Sequence, residues 1–241
     1  MNPDEYKKMF SLEDHYWWFV GRRDVALSLF RSSVRGSKFL DVGCGTGVVL
    51  RELSKLGDPI GLDFTHLALD FCQQRGLKNL VRGDGARLPL ANDSLDGIIG
   101  LDIFEHIEDD EEAFREAYRT LAPGGVLVLS VPAFASLWGP HDVALHHFRR
   151  YRRGNLTEKL RAAGFRVERC SYSVFFLFPI VVLWRIAEKR KQGPAKASLV
   201  NVPPFVNQSL IALQWLESRL ISVVSLPWGS SLLAVARKPD R

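Results

Sequence analysis

Three cysteines (Cys44, Cys72 and Cys170) in 241 residues are too few and too scattered to staple a chain, and one would always be left unpaired. A disulfide scaffold is thereby excluded, and a reducing, cytoplasmic compartment is the expectation. Nor is the aromatic-rich run Tyr172-Ser-Val-Phe-Phe-Leu-Phe-Pro-Ile-Val-Val-Leu-Trp184 long enough to cross a bilayer. It has 13 uncharged residues where a spanning helix needs about 20, and Pro179 would kink it. The N-terminal Met1-Asn-Pro-Asp-Glu-Tyr-Lys-Lys8 lacks the apolar core of a signal peptide. Internal repeats and low-complexity tracts are absent. A composition of 46% hydrophobic and 24% charged residues excludes a disordered or collagen-like chain. At about 150 residues per domain, one large domain is the expected organisation.

The formal net charge of +5 is spread unevenly. Residues 1–145 carry 15 Lys and Arg against 22 Asp and Glu, whereas residues 146–241 carry 17 against 5. Such an asymmetry points the second half toward an anionic partner, either a nucleic acid or a membrane surface.

From Ser37 to Val131 the chain repeats one pattern: a short apolar run, a turn, a helical stretch. Apolar runs lie at 38–42, 59–63, 79–82, 95–101 and 126–131, with candidate helices near 46–56, 65–75 and 109–121. Near-continuous apolar strands separated by helices predict a doubly wound α/β fold, its parallel sheet covered on both faces. The last of these helices opens on Asp109, Asp110, Glu111 and Glu112, acids that suit a helix N-terminus, and stops before Pro123-Gly124-Gly125.

At the end of the first strand stands Leu40-Asp41-Val42-Gly43-Cys44-Gly45-Thr46-Gly47. Glycines there let the backbone approach a ligand, and the following helix aims its N-terminus at it. Asp63 ends the next strand, where a doubly wound nucleotide-binding unit places its ribose-gripping acid. A dinucleotide fingerprint would need Gly or Ala where Val48 stands, so the nicotinamide reading loses.

Taken in order, Asp41-Val-Gly-Cys-Gly-Thr-Gly47, Gly61-Leu-Asp63, Gly83-Asp84-Gly85-Ala86, Leu101-Asp102-Ile-Phe-Glu105-His106 and Pro123-Gly-Gly125 resemble the class I S-adenosylmethionine-dependent methyltransferases, in the bacterial small-molecule type 11/12-like group. The resemblance covers residues 37–173 and 230–238. It implies a Rossmann-like sheet of seven mostly parallel strands, with residues 1–36 as an N-terminal helical cap and 174–229 as a helical insert before the last strand. It further implies S-adenosylmethionine as cofactor. Gly43, Cys44, Gly45 and Gly47 would lie beside its methionine part, and Asp41 near its amino group. Asp63 would take the ribose hydroxyls, with Phe64 against the adenine. Asp84, Gly85 and Ala86 would meet the adenine edge, and Leu101, Ile103 and His106 the sulfonium region. Cys44 has nothing beside it that suggests a nucleophile.

Methyl transfer to a hydroxyl needs a base near the departing proton, and histidine is the usual choice. Two histidine clusters follow strand ends: Glu105-His106, and Trp138-Gly-Pro-His141-Asp142-Val-Ala-Leu-His146-His147-Phe-Arg-Arg-Tyr151. The segment His147-Phe-Arg149-Arg150-Tyr151 is similar to the His-x-Arg-Arg-Tyr stretch of one bacterial subgroup, which often also carries an N-terminal helix like His15-Tyr-Trp17-Trp18-Phe19. His147 is the first candidate base and His141 the second; the alternative is that His147 and Tyr151 only fix the loop. A metal site from His141, Asp142, His146 and His147 is the weaker alternative, and no metal is expected. Four successive aromatics, Tyr16 to Phe19, cannot all face one core, so some should cover a ligand, with Arg22 or Arg23 near the cofactor carboxylate.

The 56-residue insert 174–229 is too long to be a bare loop. After its aromatic start come Arg185, Lys189, Arg190, Lys191 and Lys196. Val206, Leu210, Leu213, Leu216, Leu220 and Val224 then recur at helical spacing, with Gln214, Glu217 and Arg219 on other faces. Either the insert packs on the domain or forms a homodimer, or it is a lid and interfacial anchor on an anionic membrane surface. Nucleic-acid methylation is the runner-up function. Against it, no Asn/Asp-Pro-Pro-Tyr/Phe motif follows the fourth strand, where Leu101-Asp-Ile-Phe-Glu-His106 stands instead. A non-catalytic cofactor-binding module is the third. The leading expectation is methylation, at oxygen, of a small-molecule or lipid-linked acceptor by a protein peripheral to the inner face of the membrane.

Overall fold

A computed structural model describes residues 3–189, Val200 and residues 202–240. The expected runs form strands β1 (Lys38–Val42), β2 (Asp58–Asp63), β3 (Leu80–Arg82), β4 (Leu95–Leu101) and β5 (Leu121–Pro132), joined by β6 (Arg166–Ser173) and β7 (Ser231–Arg237). They make one seven-stranded sheet in the order β3-β2-β1-β4-β5-β7-β6, in which only β7 runs antiparallel to its neighbours. The order reverses between β1 and β4, and a doubly wound sheet opens its ligand crevice at the carboxyl ends of such a pair.

Alternation along the strands builds two cores, because both faces of the sheet are covered. One face buries Leu40, Val42, Ile98 and Leu129 against Phe104, Phe114 and Tyr151. The other buries Phe39, Ile99, Val128 and Val235 against Phe30, Leu53 and Ile221. The intervening helices are α3 (Val48–Leu53), α4 (His66–Gln74), α5 (Asp110–Thr120) and α7 (Arg153–Ala162), with a short α6 (Pro140–Ala144) between β5 and α7. Asp109 caps α5, its side chain accepting from the Glu112 N–H at 2.9 Å, which explains the clustered acids at that start. Strand β5 begins five residues before the expected 126, because Leu121 already pairs with Leu95 across a register shift.

The cap is α1 (Pro3–Leu12) with α2 (Trp17–Ser33), and the insert supplies α8 (Phe178–Lys189) and α9 (Pro204–Val223). Arg190, Lys191 and Lys196 of the basic run lie outside the described residues. Cap and insert are joined: Asn207 accepts from the Trp17 N–H at 2.9 Å and donates to the His15 carbonyl at 2.8 Å.

Helix α9 divides its apolar stripe, with Val206, Leu210 and Leu213 half-buried and the C-terminal part facing out. Its buried residues are Gln214, Glu217 and Ile221, while Leu216, Leu220 and Val224 face out beside Phe205, Trp215 and Val223. Two contacts fix this rotation. Gln214 lies on Gly21 of α2, where a Cβ would come within 2.7 Å of its side chain. Glu217 accepts from the N–H groups of Val174, Phe175 and Phe176, holding Val174 at a φ of +62° that a β-branched residue otherwise avoids. Two polar side chains thus pack inward with Ile221, and Phe205, Trp215, Leu216 and Val223 are exposed among the described residues.

Candidate functional site

The loop after β1 turns sharply on Gly43, Gly45 and Gly47, with φ of +69°, +53° and +89°. The Gly43 and Cys44 N–H groups both donate to the Leu62 carbonyl, at 2.8 and 2.9 Å, so the loop hangs from the end of β2. A Cβ on Gly43 would lie 2.5 Å from Ile103, and only glycine fits there. Cys44 is buried 3.9 Å from Cys72, and that contact together with burial pushes its thiol pKa up, so it stays protonated.

Two acids from the ends of β1 and β2 meet this loop. Asp63 is buried and accepts from the Gly45 N–H at 3.0 Å, the Thr65 N–H at 3.0 Å and the Thr65 hydroxyl at 3.1 Å. Burial raises its pKa, and those donors act against the rise. Asp41 is 2% exposed, and its Oδ2 has no partner among the described residues. Burial, with the nearby charges of Asp63 and Glu13, pushes its carboxyl well above the usual range. An orphaned buried acceptor beside a cavity is a group awaiting a donor. Asp84 accepts from the Ala86 N–H at 2.9 Å through Oδ1 and is otherwise exposed, and Phe64, 69% exposed, stands next to Asp63.

The cap closes over these groups through an ionic knot. Buried Glu13 accepts from the Thr46 hydroxyl and from Arg75 at 2.6 Å, while Asp14 bridges Arg51 and Arg75 at 2.6 and 3.0 Å. Of the two arginines expected at the cofactor carboxylate, Arg22 lines the cavity and pairs with Asp102. Arg23 is not among the lining residues; it donates to the Glu13 carbonyl at 2.9 Å. Asp102, held at a φ of +54°, also accepts from the Ser130 hydroxyl at 2.7 Å. Non-glycine residues forced into this region cluster at functional sites.

The far end of the cavity is built by the loop after β5. Asp142 is fully buried and accepts from His147 Nδ1 at 2.9 Å, from Arg150 Nε and Nη2 at 2.7 and 3.0 Å, and from the Gly139 N–H at 2.9 Å. These donors outweigh burial and hold its carboxyl far below the usual range. With a carboxylate on Nδ1, the proton of a neutral His147 sits there, and the lone pair of Nε2 remains for a proton or a cation. His141 also lines the cavity, its ring 6.3 Å from that of His147. His106 is nearer, at 4.6 Å and edge-on. The grouping of His141, Asp142, His146 and His147 is not assembled for a metal, because His146 is exposed and the oxygens of Asp142 are taken by Arg150, His147 and Gly139. Tyr151 fixes the loop, donating to Asp110 at 2.7 Å, and Arg149 does so through the Ile107 carbonyl at 3.0 Å.

Burial, followed by the charge of Arg185, pushes His141 down to about 4. Between that value and the ordinary 6.5 or so of an unfolded imidazole, the unfolded chain binds the extra proton. His141 therefore withdraws stability as pH falls through this window. Nitrogen-detected NMR should find its ring neutral at pH 6 and protonated only near 4; a midpoint at the ordinary value would contradict the burial.

One cavity of about 1120 Å3 runs between the two ends; Gly47 and Asp142 lie behind its wall and do not line it. Gly43, Asp63, Asp84, Gly85, Ala86 and Leu101 lie along it with Ile103 and His106, as do Trp17, Trp18 and Phe19 of the cap. Its outer wall is the insert, through Leu177, Ile180, Val181, Trp184 and Leu210. Asp102 pairs with Arg22 and Ser130, and Asp142 holds His147. The first was read from the sequence only as part of a motif and the second only as a metal ligand. Asp142 carries a local signal, the histidines on either side of it, whereas the partner of Asp102 has none.

Comparison with known proteins bears on this geometry. Residues 40–129 match the family profile described as a methyltransferase domain. A Mycolicibacterium smegmatis protein named "Probable S-adenosylmethionine-dependent methyltransferase" is 31% identical over 160 residues, covering 65% of this chain and 62% of that one. The demethylmenaquinone methyltransferase of Staphylococcus epidermidis is 34% identical over 134 residues, 52% of this chain and 53% of its own. The chain thus spans about half to six-tenths of the length of these relatives. Among solved structures, a Thermotoga maritima protein titled a SAM-dependent methyltransferase, possible histamine N-methyltransferase, superposes with a TM-score of 0.62 at 16% identity. It covers 98% of this chain and 95% of its own, a likeness of fold.

Proposed function

We propose that this chain, whose core belongs to the class I S-adenosylmethionine-dependent methyltransferases, methylates an oxygen of a lipid-linked small-molecule acceptor at an anionic membrane surface. The observation that carries the reading is the single cavity. It has acids and glycines at one end, an Asp142–His147 pair at the other, and an outer wall made by the apolar insert.

The residues at the first end fit the family's cofactor. Asp41 offers an unpaired buried acceptor to an ammonium, Asp63 is fixed by three donors near where two ribose hydroxyls would lie, and the positive-φ turn at Gly43 and Gly45 brings bare backbone to the cavity wall. Asp84 Oδ2 and the exposed ring of Phe64 are left for the adenine. When bound, S-adenosylmethionine supplies an electrophilic sulfonium methyl, so the protein's main contribution is alignment, worth on the order of 7–11 kcal/mol. Leu101 and Ile103 wall the middle of the cavity, and the acceptor's proton departs at the His147 end.

The insert favours a lipid-linked acceptor. Helix α8 exposes Ile180, Leu183, Trp184 and Ile186, and α9 exposes Phe205, Trp215, Leu216 and Val223, while Ile180 and Trp184 also reach the cavity. Apolar side chains facing out from two helices, beside a sequence rich in Lys and Arg, suit burial at the headgroup boundary. Among the described residues no helix is long and apolar enough to cross a membrane. Nucleic acid is disfavoured because several cations of the basic half are engaged within the chain. Arg150 holds Asp142, and Arg169 donates to the Ile221 and Ser222 carbonyls at 2.7 and 3.0 Å, the C-terminal end of α9. Self-association through the same apolar face is the alternative occupant.

Incubating the full chain with methyl-labelled cofactor and a membrane-containing extract tests the reading. Label is expected in the lipid fraction, and the protein should co-sediment with anionic vesicles and be released by salt. Label only in RNA, or no vesicle binding at low salt, would overturn it.

A further inference from the structure

Glu105 lies in the 3-10 turn Phe104–His106 after β4 with none of its surface exposed, and neither carboxyl oxygen has a hydrogen-bond partner among the described residues. The neighbouring cations are already committed: Arg22 pairs with Asp102, and Arg150 with Asp142. A buried carboxylate without a partner is expensive, so burial pushes the Glu105 carboxyl well above the usual range toward its neutral form, and a cation at the site would let it ionise. Two imidazoles face this one. His147 is held through Nδ1 by Asp142 at 2.9 Å and keeps Nε2 in reserve, and the ring of His106 stands edge-on to it with centroids 4.6 Å apart. One ligand atom from each of Glu105, His106 and His147 lies within 4.8 Å of the others, with the two rings perpendicular.

We infer that Glu105, His106 and His147 bind a divalent transition-metal ion at the acceptor end of the cavity, leaving coordination positions open toward the acceptor oxygen. Two imidazole nitrogens and one carboxylate oxygen suit Zn2+, Mn2+, Co2+ or Fe2+, whereas Mg2+ and Ca2+ prefer oxygen donors throughout. Metal-ligand bonds of about 2.0–2.2 Å place tetrahedral ligand atoms about 3.4 Å apart, so a small side-chain closure completes the site. The outer partner that aims one of these ligands is in place, since Asp142 holds the His147 imidazole. This is a different set from the four residues around Asp142, which the fold does not assemble.

The site stands on its geometry; its role rests on the methyl-transfer reading. A cation at this position lowers the pKa of a bound hydroxyl. The acceptor's O–H proton then passes to water, the oxygen forms a bond to the methyl carbon, and the C–S bond breaks with its electron pair going to sulfur. His147 then serves as a ligand and the metal does the activating.

The test is titration of the chelator-stripped full chain with Co2+, followed by its visible absorption and by calorimetry, with S-adenosylhomocysteine binding measured in parallel. One ion per chain is expected. Glu105→Gln and His147→Gln should weaken binding by more than the roughly 10- to 100-fold that loss of an outer-shell partner causes, and His146→Gln should leave it unchanged. Because Glu105→Gln alters a fully buried side chain, its fold is checked by thermal melting. Failure of the wild-type chain to bind Co2+ or Zn2+ at micromolar ion while it binds S-adenosylhomocysteine would overturn the metal site and leave methyl transfer standing. Equal binding by wild type and Glu105→Gln would do the same. Loss of S-adenosylhomocysteine binding alone would instead count against the methyl-transfer reading.

Discussion

Asp142→Asn should lower the turnover number for methyl transfer by roughly 10²- to 10⁴-fold, the range spanned by losing a positioned proton-transfer group or its orienting carboxylate. The carboxylate takes four hydrogen bonds from His147, Arg150 and Gly139 with none of its surface exposed. An amide of the same shape keeps one acceptor oxygen and turns two donors on groups that are donors themselves. Nδ1 of His147 then loses the partner that fixes its tautomer, and Nε2 no longer presents its lone pair to the cavity. The change lies away from Asp41 and Asp63, so the KM for the cofactor should stay within a few-fold. Asparagine is the informative variant, because alanine would also strand the buried Arg150, a loss of roughly 3–5 kcal/mol of stability. Steady-state kinetics on both variants measure this, and a turnover number within twofold of wild type would show that Asp142 is only structural.

The second large effect is on stability. Glu217→Ala leaves the N–H groups of Val174, Phe175 and Phe176 without their acceptor in a buried place, after the bond to Phe175 at 2.8 Å and its two companions are lost. Hydrogen bonds to a charged group contribute about 1.5–3 kcal/mol each, although not additively. A total loss of roughly 3–5 kcal/mol is therefore expected, a large part of an ordinary domain's 5–15 or so. For a chain of this size the melting temperature should fall on the order of 10 °C. Glu217→Gln, which keeps one oxygen, should lie between. Because Val174 is held at a φ of +62° by the same contacts, Val174→Gly in the Glu217→Ala background should recover part of the loss. Calorimetric melting that places Glu217→Ala within about 1 kcal/mol of wild type would contradict the packing of α9 described above.

Those two residues also mark where the sequence stopped being legible. Asp41, the glycines from 43 to 47, Asp63 and Asp84 could be read because their signal is local: an acid or glycine at the end of an apolar run, at a spacing set by one β-α unit. The strands themselves were legible for the same reason, and β4 begins and ends where its apolar run does. Asp102 with Arg22, eighty positions apart, and Glu217 with the backbone at Val174 are pairings that only the closed fold creates. Nothing in their neighbourhoods announces them. Periodicity found α9 but not its inward residues, because a scale that rates carboxylates and amides as outward-facing cannot foresee Gly21 admitting Gln214, or three N–H groups recruiting Glu217. Glu105 is intermediate. Its place beside His106 was visible, whereas its lack of a hydrogen-bond partner among the described residues was not.

The central claim is that the acids and glycines around Asp63 form a pocket for S-adenosylmethionine and its product. Calorimetry of S-adenosylhomocysteine binding to the wild-type chain and to Asp63→Ala tests it most directly. On that claim Asp63 would receive the ribose hydroxyls, and it also ties the Gly45 N–H at 3.0 Å. Its removal should weaken binding at least about 100-fold, a change of about 2.7 kcal/mol, in a chain whose circular dichroism is unaltered. Equal affinity in the two proteins would mean that the pocket is wrongly assigned.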